Sequence, residues 1–282
     1  MNRLLGVAII LLWGSSLVAL FYRDVLPYWQ AQDQPIGAAP AGDRQVGIFD
    51  KNDRRIGTNW VSIRYQGTTS NWYSLTALSL STLSLPGLPA LPNVLFDTTL
   101  NFQADGTLTG FETKVLGMMT PIELKGYLLG IDYSCLARIG SFEQKFSIDA
   151  QVSQQLSDNL KPYTHLPRLR VGQSWQVQVL DPVSLLLQQA ARPVRVLVRV
   201  AGRDSIEHGG EMIECFRVES DLAVAWVHDD GRVLKQVVHN IPLLGKITLL
   251  DEPFDAAARA AARRDLQPRE PEIRQPATAG RS

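Results

Sequence analysis

From about residue 57 to residue 250 the chain alternates apolar and polar side chains, and this two-residue period constrains the fold more than any other feature. Phe96, Thr98, Leu100 and Phe102 fall on one side of an extended backbone, with Asp97, Thr99, Asn101 and Gln103 on the other. Phe142, Phe146 and Ile148 alternate in the same way with Glu143, Lys145 and Ser147. Antiparallel sheets with one wet face write this pattern. The strands it predicts cover 57–65, 71–82, 96–103, 107–115, 123–138, 141–149, a segment opening at Trp175, 194–200, 211–219, 222–228, 233–241 and 243–250. The expected fold is all-β: a curved antiparallel sheet, an open half-barrel or clam.

Two stretches match in order. Arg55-Ile-Gly-Thr-Asn-Trp60 and Arg170-Val-Gly-Gln-Ser-Trp175 each lead through β-type segments to an Asp-Gly, Asp105-Gly106 and Asp230-Gly231. Past those turns Ile122 and Leu124 align with Ile247 and Leu249. With six tryptophans in 282 residues, the coincidence suggests a duplicated β unit. The phases differ after the tryptophans: Val61, Ile63 and Tyr65 follow out of step with Trp60, whereas Val177 and Val179 are in step with Trp175. A one-residue shift turns every side chain to the other face, so either a bulge intervenes or the equivalence ends at the Trp.

The ends read differently. Leu4 to Tyr22 is apolar, broken only by the small Gly14-Ser15-Ser16, and is just long enough to cross a bilayer as a helix, and its exit lacks a small-x-small cleavage site. Tyr22, Tyr28 and Trp29 suit an interfacial belt. The expected division is a transmembrane signal anchor at 1–23, a Pro/Gly/Ala-rich tether at 24–46, an antiparallel β domain at 47–252 with halves 47–150 and 168–252, a helix at 253–266 and a disordered tail at 267–282. A shorter helix is expected at 181–191, where Pro182 suits a first turn. The anchor places the bulk of the chain outside the membrane, in the periplasm of an envelope.

Lys+Arg and Asp+Glu both total 28, so no global field attracts nucleic acid. Cys135 and Cys215 either bridge strands in an oxidising compartment or stay separate as small half-buried hydrophobes. His165, His208, His228 and His239 show no metal-ligand spacing and read as surface or rim residues. Ser157-Asp158-Asn159 has no upstream Ser-x-x-Lys, and no G-x-S-x-G, phosphate loop or H-E-x-x-H is present. No catalytic residue, metal site or cofactor is expected.

The candidate ligand-binding residues are apolar. Leu83, Leu85, Leu88 and Leu91 sit in a Leu/Pro string that Pro86, Pro89 and Pro92 keep out of a sheet interior. The string is either a loop folded over the core or an apolar flap at a ligand mouth or membrane surface. Trp60, Trp175 and Trp226 are core aromatics or line an apolar cavity, since cavity walls in β folds use the same inward positions.

Residues 169–182 (LRVGQSWQVQVLDP), Glu214-Cys-Phe-Arg-Val-Glu219 and Ala225-Trp-Val-His-Asp-Asp-Gly-Arg-Val233 resemble uncharacterised bacterial envelope proteins. The pattern is similar to the β-rich region preceding transglutaminase-like domains in membrane-anchored proteins and, more distantly, to periplasmic lipoprotein carriers. The resemblance covers about 55–250 and implies a sheet curved around an apolar concavity. No transglutaminase domain accompanies it here, so no activity carries over. The expected function is a non-catalytic binding module for an apolar or lipid-like ligand. The alternatives are an assembly subunit of an envelope complex, held by a protein partner, and an enzyme.

Overall fold

The computed structural model describes residues 39–79, 81, 92–148, 165–166, 168–179, 194–241 and 245–265. They form one antiparallel sheet of fourteen strands. In chain order these are β1 (Gly42–Phe49), β2 (Arg55–Gln66), β3 (Thr69–Leu78), β4 (Val94–Gln103), β5 (Leu108–Leu116), β6 (Ile122–Leu129), β7 (Asp132–Ile139), β8 (Phe142–Ile148), β9 (Ser174–Val179), β10 (Val194–His208), β11 (Glu211–Glu219), β12 (Ala223–Val227), β13 (Val233–Ile241) and β14 (Gly245–Glu252). A single helix, α1 (Ala256–Asp265), follows among the described residues. Two up-and-down meanders lie side by side, β8 through β1 and then β14 through β9, so β1 and β14 meet at a central seam and β8 and β9 are the two outer strands among the described residues.

Local chemistry sets the hairpins. At the β10–β11 connection Gly209 and Gly210 have φ of 62° and 86°, the paired left-handed conformations of a two-residue turn that follows sheet twist. The two Asp-Gly turns are built alike. Gln103 N donates to Thr107 O, Gly106 N to Gln103 O and Thr107 N to Asp105 Oδ1; His228, Gly231, Arg232 and Asp230 repeat all three bonds. In each hairpin the pairing then skips one residue, Thr109 in β5 and Leu234 in β13. The hairpins β4–β5 and β12–β13 therefore share turn, bulge and face.

The tryptophan strings are not part of that equivalence. Trp60 lies in β2, two strands before its Asp-Gly turn, and Trp175 lies in β9, three strands before. Trp60 pairs with Gln45 and Leu75, whereas Trp175 pairs with Val198, and the two occupy opposite faces of the sheet. The phase difference in the sequence marks this exchange of faces. Counted back from the hairpins, β1–β6 correspond to β9–β14, and β7 and β8 are additions.

The sheet is strongly curved. A flat sheet would set β10 and β14 about 19 Å apart, four spacings of about 4.8 Å, yet His208 Nε2 of β10 lies 3.9 Å from Asp251 Oδ2 of β14. On one face, here the trough face, Val61, Ile63, Trp72, Leu100, Phe111 and Tyr133 pack together in the first meander. Trp175, Val200, Val218 and Val227 pack with Leu166 and Leu169 in the second. Ile48 and Ile247 join the meanders at the seam. On the opposite face α1 covers β2–β5: Phe254, Ala258 and Ala262 pack on Trp60, Leu75 and Leu95. Asp255 starts the helix by accepting the Ala258 amide at 2.9 Å, the usual capping bond.

Several boundaries differ from the sequence expectation. The first strand opens at Gly42, inside the stretch read as tether, and Ala39 is already buried, its carbonyl accepting Tyr65 Oη at 2.6 Å. The segment read as one strand over 123–138 is a hairpin turning at Gly130, φ 69°, so Leu129 and Ile131 at its tip are exposed while Tyr133 and Cys135 are buried. Cys135 and Cys215 are both free and buried, in separate clusters. The expected anchor at 1–23, the helix at 181–191 and the tail at 267–282 lie outside the described residues. Among the described residues no helix is long and apolar enough to cross a membrane.

Candidate functional site

The trough face of the second meander is built from β-branched and small residues. Val177 pairs with Val196, Trp175 with Val198, Val218 with Ala225, and Ala225 with Gln236, all pointing the same way. Together with Leu166, which the connector to β9 lays across them, they line an apolar cavity of about 170 Å³ open to solvent. Ala223 and Ala225 leave the depth: a larger side chain on β12 would fill it.

A second pocket of about 310 Å³ lies over the seam. Val233 and Gln236 line both, so the two adjoin along the trough face. In register along its floor run Thr76, Asn59, Val46 and Asp251, with Ile48 and Leu249 one step further along β1 and β14. Arg44 and Asp251 make one end polar, while Val46, Ile48 and Leu249 keep the floor apolar.

That polar end belongs to a cluster gathered from five separate stretches of the chain. Asp251 Oδ2 lies 3.7 Å from Arg232 Nη1 and 3.9 Å from His208 Nε2, and His228 Nδ1 lies 3.0 Å from Asp230 Oδ1. His165 bridges to Arg232 through its backbone, and a Cβ added at Gly231 would meet its ring at 2.8 Å. Among the described residues His165 Nδ1 and Arg232 Nε are buried without a hydrogen-bond partner. Burial lowers the His165 pKa and Arg44 lowers it further, against the smaller opposing pull of Asp230. Burial raises the Asp251 pKa from its ordinary value, outweighing the downward pull of Arg232, His208 and Arg44. At Asp230 the order reverses: burial raises it, but the Arg232 amide and His228 together prevail and the net shift is downward.

Asp251 therefore binds its proton more tightly in the folded chain than in the unfolded one. Its stabilising contribution is complete below the ordinary Asp value of about 3.9 and is lost as pH rises through the raised folded value. Between about pH 3 and pH 7 the melting temperature of the wild type is expected to fall relative to that of Asp251→Asn. Parallel curves for the two proteins across this range would remove Asp251 from the cluster's electrostatics.

Of the residues singled out in the sequence, Trp175 lines the trough. Trp60 sits on the opposite face under α1, its Nε1 donating to Gln45 Oε1 at 2.8 Å. Trp226 is half-buried on the face away from the trough, donating to Asp204 Oδ2 at 3.1 Å and covered by Lys235. Leu83, Leu85, Leu88 and Leu91 lie outside the described residues. Sequence reading missed Arg44, Val46, Asn59, Gln236 and Asp251. It also read His165, His208 and His228 as unrelated rim positions; no spacing in the chain relates them.

Burial pushes the Cys135 thiol up to about 11 and raises Cys215 as well, whereas reactive cysteines have lowered values. Among the described residues no group of His, Cys, Asp and Glu is placed to hold a metal ion. The arrangement can accept an elongated apolar group along the trough and meet a polar end with arginine, histidine and carboxylate.

No protein family and no curated protein matches the chain. Among solved structures, a β-barrel-like protein of the domain of unknown function DUF1849 from Brucella abortus matches at 12% identity and a TM-score of 0.34, covering 76% of this chain and 97% of that one. A DUF1089-family protein from Pseudomonas aeruginosa matches at 14% identity and 0.29, covering 66% and 90%. The hypothetical lipoprotein YmcC from Escherichia coli matches at 13% identity and 0.27, covering 82% and 96%. Scores this low give the likenesses no weight for fold or function.

Proposed function

We propose that this chain is a membrane-anchored, extracytoplasmic binding module that takes an apolar or lipid-like ligand into the trough and performs no reaction on it. The observation that carries the reading is the largely apolar cavity under Leu166 and Trp175, adjoining the seam pocket through Val233 and Gln236, with Arg44 and Asp251 at the end of that second pocket. A monomeric soluble surface leaves such a concavity open chiefly where something occupies it. The apolar segment at residues 4–22 supplies the anchor in this reading, and a ligand of the same bilayer would then be close at hand.

The purified chain is expected to bind an environment-sensitive apolar dye such as N-phenylnaphthylamine with a saturable fluorescence increase. Ala225→Phe fills the cavity from its floor. It should weaken the dye by about tenfold or more, about 1.4 kcal/mol, while changing the unfolding free energy by no more than about 1–3 kcal/mol. A dye that never saturates on the wild type, or one that binds Ala225→Phe equally well, would sink the reading.

The assembly-subunit reading draws support from a different place. Ile139, Phe142 and Phe146 leave an exposed apolar patch at the β8 edge, 46%, 59% and 37% accessible, far from the trough in the strand order.

A further inference from the structure

We infer that the free edge of β8 is a self-association site that pairs antiparallel with β8 of a second copy of this chain, centred on Gln144. The inference is independent of the trough and its ligand.

Among the described residues β8 hydrogen-bonds only to β7, which leaves the other side of its backbone open. Open edges are normally blunted by charge. Here the edge reads Phe142-Glu143-Gln144-Lys145-Phe146, which is complementary to itself when reversed. In an antiparallel pair centred on Gln144, each Phe142 lies opposite Phe146 of the second copy. Each Glu143 lies opposite Lys145, and the two Gln144 face one another. A lone lysine would repel a second edge, but the glutamate two positions earlier turns the same charge into a matching device.

The flanking strands support this register on both faces. On the outer face the cross-strand row runs Glu123, Arg138, Glu143, with Arg138 3.1 Å from Glu123 and 2.9 Å from Glu143. The signs alternate and stop on a minus at the edge. Lys145 of the second copy supplies the next plus, and Lys145 makes no ion pair among the described residues. On the trough face Phe142 pairs with Ile139 and Phe146 with Cys135, so the patch that is exposed in one copy is the patch the second copy covers. Cross-strand aromatic pairs are the strong pairs of an antiparallel ladder. The charges contribute register and specificity more than affinity. The symmetry is two-fold and closes on itself. A ladder this short covers less than the interface of a tight complex, so the dimer is expected to dissociate in the micromolar range.

The test uses the full chain in non-ionic detergent, followed by sedimentation velocity over a concentration series. The wild type should pass from monomer to dimer and no further. Lys145→Glu sets glutamates opposite glutamates and Glu143→Lys sets lysines opposite lysines, so each should remain monomeric where the wild type is dimeric. An equimolar mixture of the two variants restores both opposite-sign contacts and should dimerise. Gln144→Cys provides a readout that needs no charge change. Facing Cα atoms about 4.5–5.5 Å apart are within disulfide reach, so mild oxidation should cross-link it into a dimer, whereas Ser147→Cys should not cross-link. If Glu143→Lys does not fold, loss of the cross-link on adding Lys145→Glu to Gln144→Cys decides the matter. A wild type that stays monomeric at several hundred micromolar would overturn the proposal, as would dimers surviving in both charge variants. So would a series of higher oligomers, the product of β8 meeting β9 head to tail, or an edge occupied only by a different protein.

Discussion

Trp175→Ala is expected to lower the free energy of unfolding by about 3–5 kcal/mol, the usual effect of truncating a buried large aromatic. Trp60→Ala should lose a similar amount for a different reason. Trp175 is 1% exposed on the trough face, against Val200, Val218 and the connector residues Leu166 and Leu169. Its removal enlarges the cavity it already lines, so the less stable variant should also accept a bulkier apolar dye. Trp60 is 4% exposed beneath α1 and holds Gln45 Oε1, which also takes the Asp255 amide at 2.9 Å. Truncating it loosens the helix as well as the core, and dye binding should not improve. Chemical denaturation with the dye present reads both effects. Equal dye behaviour in the two variants would mean that the tryptophans share one environment after all.

How much of this could be read from the chain follows from where each signal is stored. Strand alternation is local, and its twelve predicted segments cover thirteen of the fourteen strands, one of them running through both β6 and β7. In β8 it put Phe142 and Phe146 on the right face but read them as inward, whereas at the sheet edge they are exposed. The Asp-Gly turns are local too, and both hairpins form with the same bonds. So is the start of α1, where Asp255 caps the helix after Pro253. β1 carries no such signal. Its residues Arg44, Gln45 and Val46 are polar or mixed because one side meets the polar end of the trough and the other tucks Gln45 between Trp60 and Glu252. A buried strand of that composition reads as linker. The polar cluster was invisible for another reason: Arg44, His165, His208, Asp230 and Asp251 come together only because the sheet curls, and no spacing in the sequence encodes a curl. The tryptophan strings misled because similar strand starts can lie on opposite faces.

The seam strand is also where the largest effect is expected. Deleting residues 1–38 should leave a chain that unfolds cooperatively with little change in midpoint, whereas deleting residues 1–46 should abolish cooperative folding. β1 holds the first meander to the second at the seam, paired to β2 on one side and β14 on the other. The longer deletion removes Gly42–Val46, which pair with Ile63 through Asn59 and with Glu252 and Asp251. It also removes the Asp43 carboxylate that holds Arg64 at 2.6 Å. Gln45 alone carries three hydrogen bonds, from Trp60 Nε1, from the Asp255 amide and to Glu252, about 1 kcal/mol each. The half-buried Val46 and the ladder on both sides add to this, and a domain has only about 5–15 kcal/mol of net stability to lose. Circular dichroism of the two truncations through a thermal ramp separates the cases. A 1–46 deletion that melts as sharply and as late as the 1–38 deletion would show that the two meanders hold together without the seam, and would move the start of the domain back to residue 47.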